Sequence, residues 1–217
     1  MSGIRPVLGI DLDGTVLDCR PRQQAVLVEL CPEARPHLED IWRMKRGGFS
    51  TKTALTTLGL DPGLGFEQRW FDRIEHQDVL KLDPVIAGAE QALDTMHHLA
   101  DLHLITSRQS RHGVLQTLER LGLSRLFAHI EVVSVGTGAV TAKALHLRTC
   151  QAVAHCGDTE VDGAAAQAAN LPFWAVRSGQ RSGEFLMDNT APAHIADGLP
   201  DVAREFEALL HHAVIAD

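Results

Sequence analysis

The chain has 217 residues, 45% of them hydrophobic and 22% charged, and 20 Lys and Arg against 28 Asp and Glu leave a net charge of −8. At ~100–200 residues per domain this suits one large domain, or one domain carrying a substantial insertion, with enough chain to bury a core without disulfide staples. The acidic balance and the lack of a basic block exclude a nucleic-acid or anionic-membrane footprint, and no window approaches the ~18 apolar residues of a membrane span. Residues 1–8 carry no long apolar stretch and no small-residue cleavage site, so cytoplasmic residence is the expectation. Cys19, Cys31, Cys150 and Cys156 show neither CxxC spacing nor a close cluster with histidines, which predicts free structural thiols rather than a zinc or redox site.

In chain order, an apolar run at 7–11 predicts a first strand. Residues 19–84 contain no convincing strand: helical patterns at 25–30, 38–45, 52–58 and 66–80 are separated by Pro32, by Gly47 and Gly48, and by Asp61, Pro62 and Gly63. From there strands and helices alternate. Helices are expected at 88–99, 113–121, 141–149, 161–169 and 200–212, and strands at 102–106, 130–135, 152–157, 173–176 and 194–196. Such alternation predicts an α/β protein with a Rossmann-like, doubly wound parallel sheet, its core formed by residues 1–18 and 85–217, with an all-helical cap inserted at 19–84.

The acids gather at strand ends. Asp11 closes the first strand, Asp13 follows two residues on and shares its side of an extended backbone, and Gly14 lets the chain turn away. Asp158 closes the strand at 152–157, with Asp162 about one helical turn later. In open α/β sheets ligands bind at the carboxyl ends of strands, where these acids stand. At an effective dielectric of 20, two carboxylates about 4 Å apart repel by roughly 4 kcal/mol. A hard divalent cation removes that repulsion, and an all-oxygen shell suits Mg²⁺. Thr106 and Ser107 end another strand with hydroxyls able to donate to a phosphoryl oxygen. Lys143, opening the helix at 141–149, can neutralise one.

Asp11-Leu12-Asp13-Gly14-Thr15, Thr106, Lys143, and Gly157-Asp158 with Asp162 together resemble, in this order, the four motifs of the haloacid-dehalogenase-like (HAD) hydrolase superfamily. The insertion after the first motif resembles the helical cap of its phosphoglycolate-phosphatase-like branch. The resemblance implies Asp11 as the nucleophile that forms an aspartyl-phosphate and Asp13 as the acid and then the base. It implies Mg²⁺ held by Asp11, the backbone carbonyl of Asp13 and Asp158, with Asp162 as a ligand or a hydrogen-bonded support. Thr106 and Lys143 then hold the phosphoryl group, aided by Ser107 and by the amides of Leu12 and Asp13. An acid two residues after the nucleophile favours an oxygen leaving group over a halide.

The expected activity is Mg²⁺-dependent hydrolysis of a small phosphorylated metabolite, with a sugar-phosphate mutase or a non-catalytic ligand-binding protein as alternatives. Specificity is expected from the cap. There Arg43, Lys45 and Arg46 are candidates to reach an anionic part of the substrate, with Arg20, Arg22 and Arg108 nearer the motifs. The substrate is the expected partner, without nucleic acid or membrane, and both monomer and homodimer fit. Gly136, Thr137 and Gly138 fall one glycine short of a GxGxxG fingerprint and read as a loop.

Overall fold

The computed structural model describes residues 5–215, so the opening residues read above for a secretory signal lie partly outside it. Six strands, β1 (Val7–Ile10), β2 (Asp101–Ser107), β3 (His129–Val133), β4 (Ala152–Gly157), β5 (Phe173–Val176) and β6 (His194–Ala196), form one parallel sheet in the order β3-β2-β1-β4-β5-β6. The wholly apolar β1 lies at its centre, with Leu8 opposite Leu102 of β2 and Ala154 of β4. Successive crossovers run outward from β1 in both directions, which makes the sheet doubly wound.

Between β1 and β2 the chain forms α1 (Arg20–Leu30), a 3₁₀ turn (Pro32–His37), α2 (Leu38–Arg46), α3 (Thr51–Thr57), α4 (Phe66–Arg73) and α5 (Gln77–Leu80), followed by α6 (Ala89–Leu99). The remaining helices are α7 (Arg111–Arg120), α8 (Ala139–Thr149), α9 (Glu160–Ala169), α10 (Gly183–Thr190) and α11 (Leu199–Ile215). Alternate residues of each strand face opposite layers. Leu8, Ile10, Leu102 and Leu104 pack on α6, α7 and α11. Ile105 and Ala152 pack on Ala144 and Leu147 of α8 and Ala165 of α9. The helices after β1 bury a separate cluster of their own, Leu27, Cys31, Ala34, Ile41, Ala54, Leu55 and Phe66. Among the described residues no helix is long and apolar enough to cross a membrane.

Two elements depart from expectation. The single helix expected at 66–80 is broken into α4 and α5, with His76 extended at φ −66° and ψ 144°. The break frees Glu75 to accept the backbone N–H groups of Gln109 (2.9 Å) and Ser110 (3.1 Å), a use that its helical pattern conceals. Helix α10 was not expected; Ser182 Oγ caps it by accepting Phe185 N–H at 3.2 Å.

Candidate active site

Asp11 leaves β1 beside the end of β4, and its N–H donates to the Cys156 carbonyl at 2.9 Å. Because β1 and β4 are neighbours, the acids that close them meet. One carboxylate oxygen each of Asp11, Asp158 and Asp162 lies within 4.8 Å of the others, and all three residues are buried. Lys143 Nζ, from α8, donates to Asp11 Oδ1 (2.7 Å) and Asp162 Oδ1 (2.6 Å). Asp11, Asp13, Thr106, Ser107, Lys143, Asp162 and Gln180 line one cavity of about 280 Å³.

Each acid is positioned differently. Asp158 Oδ2 accepts Gln180 N–H at 2.6 Å, whereas its Oδ1 is buried with no partner. Gly14, at φ +82°, and Gly179 leave the room: a Cβ on either would overlap the Asp158 carboxylate. Asp162 sits in the first turn of α9, where its Oδ2 accepts from Thr159 N–H (3.2 Å) and Thr159 Oγ1 (2.6 Å). Its Oδ1 takes Lys143 and stands 3.2 Å from Nε2 of the wholly buried His155, so both of its oxygens are engaged.

Burial dominates the electrostatics. It pushes the Asp11 carboxyl up to about 7 against the pull of Lys143, and it raises Asp158 well above the carboxylate range, reinforced by Asp11 and Asp162. In Asp162 the same burial is outweighed by Lys143 and His155, and its acid is lowered. Were all three buried carboxylates ionised they would outnumber the one ammonium, and the buried Asp158 Oδ1 has no partner. These donors are all hard oxygens and fit a divalent cation such as Mg²⁺.

Asp13 is held apart from this cluster. Arg108 grips its carboxylate with two hydrogen bonds, Nε to Oδ2 (2.6 Å) and Nη2 to Oδ1 (2.7 Å), and Arg22 Nη2 adds a third at 2.8 Å. Burial alone would raise Asp13, but the two guanidiniums outweigh it and lower its pKa. Buried Asp83, at the far end of the insertion, closes the network, with Arg22 Nε 3.0 Å and Arg108 Nη2 3.7 Å away.

Thr106 and Ser107 line the cavity as expected, and the buried Ser107 Oγ has no partner. The other basic candidates divide. Arg108 and Arg22 reach the site through Asp13. Lys45 is half-buried, its ammonium lowered to about 8 by desolvation with Arg181 and Arg22 nearby, and it donates to Thr51 Oγ1 at 2.7 Å. Arg43 is paired with Asp40 and its side chain is 76% exposed, Arg20 pairs with Glu39, and Arg46 donates to the Arg177 carbonyl at 2.8 Å. None of these last three lines the cavity. Gln180, Gly179, His155 and Asp83 were not foreseen. Only Gly179, a glycine in the loop after β5, carried a visible signal.

No family model and no curated protein matches the sequence. Solved structures do resemble the fold. A haloacid dehalogenase-like family hydrolase from Streptococcus pneumoniae superposes with a TM-score of 0.70 at 16% identity, over 95% of this chain and 100% of that one. A predicted phosphoglycolate phosphatase from Haemophilus somnus gives 0.71 at 13% identity over 95% and 100%. A protein described as a β-phosphoglucomutase candidate, from Thermotoga maritima, gives 0.65 at 19% over 94% and 99%. These likenesses establish the fold, and the chemistry has to be argued from the residues.

Proposed function

We propose that this chain, which has the fold of the HAD-like hydrolases, is a Mg²⁺-dependent phosphatase acting on a small phosphorylated metabolite through an aspartyl-phosphate on Asp11. The observation that carries the reading is the clustering of Asp11, Asp158 and Asp162, with Lys143 bonded to two of them, at a cavity that Asp11, Asp13, Lys143 and Asp162 line, Asp13 standing two residues beyond the nucleophile. Phosphatase- and mutase-named neighbours of the same fold support it.

Asp11 and Asp158, with the backbone carbonyl of Asp13, would hold the cation. Its chemistry there is to neutralise phosphoryl oxygens and to bring substrate and nucleophile into line. Asp162, with both oxygens engaged, positions Lys143. Lys143 donates to Asp11, which favours its ionised form against the burial that raises it, and turns its own charge toward the transferring group. Thr106 and the unpartnered Ser107 hydroxyl bind phosphoryl oxygens. Asp11 attacks phosphorus, and Asp13 gives its proton to the leaving oxygen, then takes one from the water that cleaves the acyl phosphate.

Arg22 and Arg108 keep Asp13 ionised at rest. A phosphate ester entering the cavity brings negative charge that competes for the same guanidiniums, which releases Asp13 to carry a proton. Helices α1–α5, in this reading, are a cap over the strand ends that selects the leaving group and excludes water.

The test is phosphate release from an aryl phosphate and a panel of phosphomonoesters, with Mg²⁺, with chelator, and with Asp11→Asn. Release that needs Mg²⁺ and vanishes in the variant is expected. Turnover that survives Asp11→Asn contradicts the nucleophile, and phosphoryl movement between sugar hydroxyls without release would make the enzyme a mutase.

A further inference from the structure

We propose that His103, His146 and Cys150 form a second cation site, for a borderline divalent transition ion of the zinc class, between β2 and α8. None of these residues lines the cavity described above, and the proposal does not rest on the phosphatase reading.

Sequence distance hides the cluster and the fold assembles it. His103 lies on the same face of β2 as Ile105, the face that packs on α8. His146 is in the last turn of α8, and Cys150 follows four residues later on the same side of the helix. One ligand atom from each of the three lies within 4.8 Å of the other two. His103 Nδ1 and His146 Nε2 are 3.1 Å apart. On a tetrahedral ion with bonds of about 2.0–2.1 Å, two ring nitrogens stand roughly 3.3 Å apart, so an ion can replace the proton these rings share with little movement.

The surroundings are those of a ligating imidazole. The other nitrogen of His146, Nδ1, has Glu131 Oε2 3.9 Å away, beyond hydrogen-bond distance but close enough for the carboxylate to swing onto a metal-bound ring. His129, opposite His103 in the β2–β3 register, stacks on His146 with ring centroids 4.8 Å apart. It stands on the solvent side, where a fourth ligand, water or this imidazole, would complete the shell. Burial and the neighbouring imidazoles push His103 down to about 4, and burial with His129 lowers His146, so both rings are neutral near pH 7 as ligation requires. Burial raises the Cys150 thiol. Each ion that binds therefore breaks the S–H bond, forms the sulfur–metal bond and releases one proton to solvent. One thiolate with two imidazoles selects Zn²⁺ or Co²⁺ over Mg²⁺, whereas the all-carboxylate cluster has the reverse preference. An ion here would tie β2 to α8 three residues from Thr106 on one and from Lys143 on the other.

The test uses the full-length protein, reduced and stripped with chelator, then titrated with Co²⁺ and with Zn²⁺. A thiolate-to-cobalt charge-transfer band is expected, displaced by Zn²⁺ and absent in Cys150→Ser. Zn²⁺ affinity is expected to fall at least tenfold in His146→Gln and about tenfold in Glu131→Gln. Repeating the titration in Asp158→Asn, which disables the carboxylate cluster, should leave the band in place. Absence of the band from the wild-type protein at saturating Co²⁺, or its persistence in Cys150→Ser, would overturn the proposal.

Discussion

Asp158 is wholly buried beside two glycines, and its carboxylate fills the space that a Cβ on Gly14 or Gly179 would need. Gly14→Ala would force that carboxylate aside from a residue already at φ +82°. The expected result is loss of both Mg²⁺ binding and phosphate release with the fold retained, measured by calorimetry and circular dichroism. Asp13 is the second critical residue. In its proposed role as acid and base it is expected to contribute about 10²–10⁴-fold, so Asp13→Asn should lower kcat by that factor while leaving the proposed metal ligand Asp11 in place. Its two guanidiniums give a signed prediction. They lower Asp13, so Arg108→Gln must raise it. If protonated Asp13 serves the leaving group, the alkaline limb of the kcat/KM profile moves to higher pH in that variant. An unmoved limb would show that Arg108 does not govern Asp13.

At the scale of elements, the helices after β1 have their own apolar cluster around Leu55, and Leu55→Ala removes a wholly buried side chain from it. Such a cavity costs about 2–5 kcal/mol. Hydrogen exchange should then show lost protection in α1–α4 while β1, β2 and β4 keep theirs; uniform loss would mean that the insertion and the sheet unfold as one. The regular elements were legible because a central parallel strand is a continuous apolar run and a covering helix repeats its apolar face every three or four residues. What escaped was governed by contacts across the chain. The break at Glu75 serves the backbone of Gln109 and Ser110, and no local pattern encodes that partner. The His103, His146 and Cys150 cluster escaped too: His146 and Cys150 stand four apart at one helix end, but the cysteine spacing reads as a free thiol, and His103 joins them only because α8 crosses that face of β2.

Across the whole molecule, the charge divides with the fold. Residues 19–84 hold ten basic and ten acidic residues, so the net −8 belongs to the sheet and its covering helices, where the carboxylates converge. The motifs after β1 and β4 were readable because a parallel sheet puts function at strand ends. The partners that hold them, Gln180, His155 and Asp83, were not, because each is set by packing. Converging buried acids also make the metal a stability term. At a hundredfold excess over its Kd, Mg²⁺ stabilises by about 2.7 kcal/mol. For a chain of this size that is a rise in Tm of roughly 5–11 °C. Burial raises Asp11 from 3.8 to about 7, so folded protein binds a proton that unfolded chain does not, and this group's contribution to stability falls as pH rises through that window. The Mg²⁺-induced rise in Tm should accordingly be larger at pH 8 than at pH 5, and Asp158→Asn should abolish it.

The proposed phosphatase chemistry turns on the covalent role of Asp11. Rapid acid quenching of the enzyme turning over a phosphomonoester with Mg²⁺, followed by mass spectrometry of its peptides, reads that role directly. One phosphoryl group is expected on the peptide containing Asp11, absent with chelator and in Asp11→Asn. Phosphate release proceeding with no phosphoryl group on that peptide, or with the group on another residue, would contradict it.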